Sequence, residues 1–346
     1  MSNTEVSHYD ITGGGKILVF GDLHLSCNCV GAHKDYTFEC YTYMGKILDY
    51  VKAEKAVAVF FLGDIVGVKE RNIKDRQFFL RVILFFKKLN ELTKGNVYSV
   101  KGNHDKGDFS DFDFLIGMGL LKNPSYVDYY RPSDNQEETK EDLHEARFHF
   151  VNYGDEDRRL VISEEESSYS NIVLGHSNYY IEGVTNWYPS MNDRVDLNRL
   201  GNFKGVELIV SGHIHYPSAE VLSTNIGEDV IDLFYTGAIG RTAERYSDCW
   251  YVSFEYENGS TEYSADMFGL IPEEKAFYPK EELIDEDTDE KEQARQTESL
   301  TNLVKEIMAE RMTSGDLFGQ VRAVPGASDR VKDIACDYLH RAIDMC

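Results

Sequence analysis

The sequence predicts an α/β fold, because short apolar runs that read as buried strands alternate with longer stretches whose apolar residues recur at helical spacing. Two further observations agree with it. Aromatic residues make up 12% of the chain, with 22 Tyr and 19 Phe, which suits a core between sheets, and 346 residues suffice for one large domain plus a smaller appendage.

Along the chain, the polar start from Met1 to Asp10 lacks a signal-peptide pattern and no apolar run reaches the length of a membrane span. A soluble, cytoplasmic chain with no membrane partner is the expectation. Residues 16–20, 56–62, 97–100, 171–174 and 206–210 read as buried strands. Between the first three, Phe38, Tyr41, Ile47, Leu48 and Val51 make a partial apolar stripe, and Phe78, Phe79, Val82, Ile83, Phe86 and Leu89 a stronger one. Both predict helices whose stripes face the core. Asp134 to Glu145 is acidic and polar and reads as a solvated loop. Trp250 to Glu257 and Ser260 to Met267 alternate in polarity about Asn258-Gly259, the pattern of a β-hairpin that completes a second sheet.

The chain changes character after Met267. Glu281 to Glu292 holds eight acidic residues in twelve, the composition of a mobile linker. Beyond it, Leu300, Leu303, Val304, Ile307 and Met308 share one helical face. Val331, Ile334, Ala335, Tyr338, Leu339, Ala342 and Ile343 share another, with Ser328 as N-cap and Gly315 and Pro325-Gly326 between the two helices. The expected division is a main domain over 1–270, an acidic linker over 271–296 and a helical segment over 297–346. So short a helical pair cannot bury both stripes by itself, so it docks on the main domain or on a partner.

Five polar signatures each follow one of the predicted strands: Gly21-Asp22-Leu23-His24, Gly63-Asp64, Gly102-Asn103-His104-Asp105, Gly175-His176 and Gly212-His213-Ile214-His215. Loops at the carboxyl ends of strands converge in α/β sheets, so signatures far apart in sequence can meet in space. Asp, His and Asn offer oxygen and nitrogen donors suited to divalent Mn, Fe, Zn or Mg, and the lack of thiolates argues against a structural zinc. Any one signature is more often a turn with a satisfied polar residue; five in order point to a two-metal site. The six cysteines, at 27, 29, 40, 249, 336 and 346, show no metal spacing and read as free thiols. Cys27 and Cys29 follow the first signature, where a redox role competes with that of ordinary loop residues.

These residues resemble the calcineurin-like metallophosphoesterases over approximately Lys16 to Asn258. The resemblance implies a two-sheet sandwich flanked by helices, here with a C-terminal helical appendage. Asp-Leu-His-Leu at 22–25, where the protein phosphatases usually carry Gly, resembles the SbcD-type nucleases and their bacteriophage recombination counterparts. So does Gly237-Ala238-Ile239-Gly240-Arg241, which departs from their pattern in having Ala238 where they have Ser. Gly67 stands where relatives often carry an acid, and the phosphatase-type Asp-Arg-Gly ending is missing.

Carried over to this chain, the resemblance implies one cation held by Asp22, His24, Asp64 and His215. A second is held by Asp64, Asn103, His176 and His213, with Asp64 bridging the pair. The expected cofactors are two divalent ions, manganese first, with Mg, Fe or Zn as substitutes. The expected reaction is attack of a metal-bridging hydroxide on a phosphodiester. His104, the signature histidine left over, is the candidate for protonating the leaving oxygen, with Asp105 fixing its tautomer or raising its pKa. Its alternative role is to orient Asn103.

The net charge of −24 opposes a nucleic-acid substrate, since DNA binding relies on Lys and Arg displacing counterions. Locally, Lys69, Arg71, Lys74, Arg76 and Arg81 follow the second signature, and with Arg241 they are the candidate substrate contacts; a mixed-charge helix surface explains the cluster equally well. Three functions stay in view. The chain is the nuclease subunit of an SbcC/SbcD-like DNA repair and recombination complex, acting as exo- and endonuclease. Alternatively it is a phosphodiesterase or phosphatase for a small nucleotide or phosphoprotein, or a non-catalytic adaptor. The first implies DNA, an SbcC-type ATPase bound through the C-terminal helices, and a homodimer as partners.

Overall fold

We describe the fold from a computed structural model. Its described residues are 7–26, 33–67, 73, 75–106, 110–133, 138–155, 160–161, 168–180, 194–197, 203–218, 222–226, 229–241, 248–257 and 260–278. The elements run β1 (His8–Thr12), β2 (Ile17–Phe20), α1 (Tyr36–Ala53), β3 (Ala58–Phe61), α2 (Arg76–Thr93), β4 (Val97–Ser99), α3 (Asp111–Gly117), β5 (Tyr126–Tyr130) and β6 (His144–Val151). They continue through β7 (Leu160–Val161), β8 (Ser170–Gly175), β9 (Asn178–Tyr180), β10 (Arg194–Asp196), β11 (Phe203–Lys204), β12 (Leu208–Ser211) and β13 (Leu222–Ile226). The last are β14 (Asp229–Tyr235), β15 (Asp248–Glu257), β16 (Ser260–Gly269) and α4 (Glu273–Ala276).

Two mixed sheets form the body. The first has strand order β16-β15-β2-β3-β4, the second β1-β5-β6-β8-β12-β14-β13. Strands β2, β3 and β4 are parallel, and β15 joins β2 antiparallel, so the hairpin expected near residue 258 closes the sheet that the first strands begin. Both faces of β2 and β3 are covered, which is why their sequences are unbroken apolar runs rather than alternations.

Successive side chains divide between those faces. Ile17, Val19, Ala58 and Phe60 join Val127, Phe148, Leu174 and Val210 between the sheets, whereas Leu18, Phe20, Val59 and Phe61 meet α1, α2 and α3. Phe60 sits edge-on to Tyr98, Phe148 and Phe150, at centroid distances of 5.5, 5.1 and 5.3 Å. Such aromatic burial stabilises by about 1.5–3 kcal/mol per side chain. The far face of the second sheet carries Val173, Ile209, Ile231, Leu233 and Tyr235 against Tyr179, Leu197, Val206 and Ile214. Among the described residues no helix covers that face, so the flanking helices α1 to α3 lie on the first sheet.

Both long helices start at aspartates. Asp35 accepts from the Phe38 backbone N–H, and Asp75, which interrupts the basic run after the second signature, accepts from those of Gln77 and Phe78. The stripe expected on α1 is partly wrong. Phe38 is 61% and Tyr41 39% exposed, and the buried face is Tyr36, Cys40, Tyr43, Met44, Ile47 and Val51. On α2 the expected residues Phe78, Val82, Phe86 and Leu89 are buried together with Phe85.

Two further expectations need correction. The acidic stretch ending at Glu145 is no simple loop: Glu141–Leu143 is a 3-10 turn, His144 begins β6, and Glu145 pairs with Arg131 at 3.0 Å. Residues 271–277, expected to open the linker, belong to the first compact unit, Met1–Phe277, with Ala276 and Phe277 buried and His33 bridged to Phe277. The expected helical pair lies outside the described residues. Among those residues, no helix is long and apolar enough to cross a membrane. Cys40 and Cys249 are free and buried, and the other four cysteines lie outside the described residues.

Candidate metal centre

The five signatures stand at the exits of β2, β3, β4, β8 and β12, and backbone bonds join their loops directly. The N–H of His24 donates to the Asp64 carbonyl at 2.8 Å, and that of Leu25 to Ile65 at 3.0 Å. The N–H groups of Ile239 and Gly240, in the segment after β14, converge on the Asp22 carbonyl at 2.9 and 3.0 Å. His24, Asp64 and His213 take left-handed backbone conformations, with φ of 45°, 46° and 71°. Among the described residues, the other non-glycine positions that do so, Lys55 and Lys94, follow helix ends, so in the described loops the backbone strain lies at this centre. A β-carbon on Gly102 would strike the Asp64 carboxylate, and one on Gly212 that of Asp22.

The side chains gather as two overlapping groups. Donor atoms of Asp22, His24 and His215 lie within 4.8 Å of one another, as do those of Asp22, Asp64 and His176. His24 Nε2 is 3.1 Å from His215 Nε2. Asn103 Oδ1 is 3.0 Å from both His176 Nε2 and His213 Nδ1, and Asp64 Oδ2 is 3.2 Å from His176 Nε2. Asp64 Oδ2 also stands 3.9 Å from His24 Nε2, so this carboxylate touches both groups. All seven residues expected as ligands therefore meet at one place.

Neighbouring carbonyls set the histidine tautomers. Nδ1–H of His24 donates to the Gly67 carbonyl at 3.0 Å and that of His176 to the Leu62 carbonyl at 2.6 Å, leaving each Nε2 lone pair for the centre. Burial drives His24 down to about 3, the neutral form a ligand needs. Burial also pushes Asp22 up to about 6, against the pull of His176. At His176 burial acts downward, but Asp64 and Asp22 overcome it and lift the imidazole to about 10. At Asp64 burial acts upward, and His176 more than offsets it, holding the carboxyl below the usual range. A dry pocket with two carboxylates answered by one imidazolium is a site from which divalent cations displace a proton, and this oxygen and nitrogen donor set fits a pair of them.

His104 and Asp105 have different surroundings. The His104 side chain is 36% exposed, and its Nε2 lies 4.0 Å from Asp64 Oδ2; its backbone N–H donates to Asp64 Oδ1 at 2.8 Å. Asp105 is buried and accepts from the backbone N–H groups of Ile65 at 3.0 Å, Val66 at 3.3 Å and Gly102 at 3.0 Å. Burial and the Asp64 charge push its carboxyl up to about 7 in spite of those donors. Among the described residues no hydrogen bond joins it to His104, so the expected tautomer-fixing role is corrected. Asp105 instead braces the second signature loop against the third.

Arg241 is corrected as well. Expected at the substrate, it is wholly buried, donating to Glu39 Oε1 from Nε at 2.8 Å and to the Ile271 carbonyl from Nη2 at 2.8 Å, with its guanidinium 5.0 Å from the centre of the Phe277 ring. Its Gly237–Gly240 neighbours do serve the centre, through the bonds to Asp22 described above. Arg76 is exposed at the start of α2, Arg81 lies 5.9 Å from the Tyr41 ring, and Lys69, Arg71 and Lys74 lie outside the described residues. Tyr153, missed in the sequence, has its ring 5.4 Å from that of His213 and 6.2 Å from that of His176. The available signal was position: it follows β6 as each signature follows its own strand.

Comparison with known proteins agrees with this assembly. The profile of the calcineurin-like phosphoesterases matches residues 15–217. No curated protein matches the chain. Among solved structures, it is similar to a 5′-nucleotidase precursor from Thermus thermophilus, with 14% identity over 75% of this chain and a TM-score of 0.39. It spans 55% of the length of that relative. It is also similar to vacuolar protein sorting 29 from Cryptosporidium parvum, with 14% identity over 74% of this chain and 98% of the other, and a TM-score of 0.27.

Proposed function

This chain belongs to the calcineurin-like phosphoesterase family, and from that premise we propose that it is a two-metal phosphodiesterase that cuts DNA, the nuclease subunit of an SbcC/SbcD-like complex. The observation that carries the phosphodiesterase reading is the placement of His104. The ligands His24, His176 and Asp64 are sealed from solvent, whereas the His104 ring is partly open beside Asp64, whose carboxylate lies near both groups. An imidazole there meets a bound ester from the solvent side and gives its proton to the departing oxygen.

Asp22, His24 and His215 would hold one cation and His176, His213 and Asn103 the other, with Asp64 between them. Such a pair supplies Lewis-acid activation of water and neutralises charge on the phosphoryl oxygens. The Gly67 and Leu62 carbonyls hold the imidazoles in the ligating tautomer, and Asp105 keeps the loops that carry Asp64 and Asn103 in register. The nuclease reading is supported by Leu25 after His24, a residue wholly buried and bridged to Val66, and by the Gly237–Arg241 segment.

The net charge of −24 favours a second reading, a small phosphoester as substrate. Under the first reading the positive surface comes from a partner, an SbcC-type ATPase engaging the C-terminal segment, and from a second copy of the chain. The deciding experiment incubates the full chain and Mn2+ with single- and double-stranded DNA or with the p-nitrophenyl ester of thymidine 5′-monophosphate, with and without the ATPase. Cleavage of DNA, enhanced by the ATPase, is expected. Turnover of the ester alone under every condition rejects the nuclease.

A further inference from the structure

The turn after β6 is tied to the exit of β4, the strand that delivers Asn103 and His104. The backbone N–H of Lys101 donates to Asn152 Oδ1 at 2.7 Å, Asn123 donates to the same oxygen at 2.8 Å, and the N–H of Tyr153 donates to the Lys101 carbonyl at 2.9 Å. These bonds bring Lys106, just past the third signature, over the Tyr153 ring, with Nζ 4.1 Å from the ring centre. The Tyr153 ring in turn neighbours the imidazoles of His213 and His176. Gly154, in a left-handed conformation with φ of 90°, completes this turn, and the place of its missing β-carbon lies 2.8 Å from Lys106 Nζ.

A lysine over an aromatic face is ordinary by itself, and several others occur in this chain. The location makes this one different. Other cationic side chains are placed differently: Arg241 is buried against Glu39, Lys101 Nζ pairs with Asp113 at 2.8 Å, and Arg76 lies at an exposed helix start. Among the described residues, no ion pair joins Lys106 to a carboxylate. Its ammonium can be no farther from His213 than the two ring contacts laid end to end, and it is not itself among the ligands.

Resting on the phosphodiesterase reading above, we propose that Lys106, positioned by the ring of Tyr153, holds the phosphate that flanks the scissile one in a polynucleotide. A point charge on a flexible stem suits a phosphate that must be held without being cut. The cation–π contact keeps the stem from collapsing onto the carboxylates of the centre.

The test uses the full chain with Mn2+ and two substrates, an oligothymidylate and the single-phosphate p-nitrophenyl ester of thymidine 5′-monophosphate. For Lys106→Gln, kcat/KM on the oligonucleotide falls roughly tenfold, through KM, while the ester and manganese binding are unchanged. Because one phosphate contact is gone, the slope of log KM against log salt becomes shallower by about 0.7, which a merely structural change would not produce. Lys106→Arg restores the oligonucleotide activity. Tyr153→Leu follows Lys106→Gln, and Tyr153→Phe, which keeps the ring, does not.

Equal losses on both substrates, or an unaltered salt slope, overturn the assignment of Lys106. If the wild-type chain cleaves both substrates and Lys106→Gln affects neither, this inference alone falls. Wild-type cleavage of the ester only removes the nuclease reading and this inference with it.

Discussion

Replacing Arg241 with Met separates a packing role from a substrate role with a single change. The guanidinium lies 2.8 and 2.7 Å from Glu39 Oε1 through Nε and Nη2, and both side chains are sealed from solvent. Removing one member of such a pair leaves a buried charge unanswered, a cost of about 3–5 kcal/mol. The Ile271 carbonyl also loses its donor, adding about 1 kcal/mol. A net loss of about 4 kcal/mol is therefore expected. For a unit of this size that lowers the melting temperature by about 10 °C. Urea and thermal unfolding measure it, alongside KM on an oligonucleotide at fixed Mn2+. The double variant Arg241→Met, Glu39→Leu removes both charges and should lose less than the single one. An Arg241→Met protein with the wild-type melting temperature and a raised KM would refute the buried-pair argument and return this residue to the substrate.

His104→Asn should keep two ions per chain by elemental analysis while kcat falls about 10²- to 10⁴-fold; loss of the ions together with activity would assign the ring to orienting Asn103 instead. Asp105→Ala strips acceptors from three backbone N–H groups. Stability should fall by about 3 kcal/mol in urea melts and metal affinity with it, whereas a residue acting only on His104 would leave the melt unchanged. Burial would raise the Asp128 carboxyl, but His144 and Arg147 hold it down at about 2, against 3.8 for a free carboxyl. A depressed carboxylate stabilises the fold above its unfolded pKa and loses that contribution as pH falls through the folded one. Asp128→Asn should therefore cost about 2 kcal/mol at pH 7, and the difference from wild type should close between pH 4 and pH 2.

The strands and the seven polar side chains that gather at their exits were legible because both are local signals. A short unbroken apolar run such as Ile17–Phe20, rich in β-branched and aromatic residues and ended by glycine, reads as a strand covered on both faces, and the residue types after it carry the chemistry wherever the loops meet. What the sequence hid depends on distant partners. Glu39 lies 202 positions before Arg241, and nothing beside either residue announces the other. Asp105 stands next to His104, which made them look like a pair, but its partners are backbone groups, those of Ile65 and Val66 about 40 positions upstream and that of Gly102 close by, invisible to any reading of side-chain types. On α1 the aromatic residues occupy more than one side, so periodicity alone does not separate the exposed Phe38 and Tyr41 from the buried Tyr36 and Tyr43. Tyr153 and Lys106 carry no motif, and only the folded turn brings them together.

The carbonyl of Asp22 is held by the backbone of Ile239 and Gly240, and β2 finds its antiparallel neighbour only in β15. A chain still emerging from the ribosome, with its first two hundred residues made, has the early signatures but neither the clamp on the first aspartate nor the strand that seats it. Contacts so distant in sequence form late. The phosphoesterase centre therefore has no half-built form: synthesis must run almost to the end of the body before the site is whole.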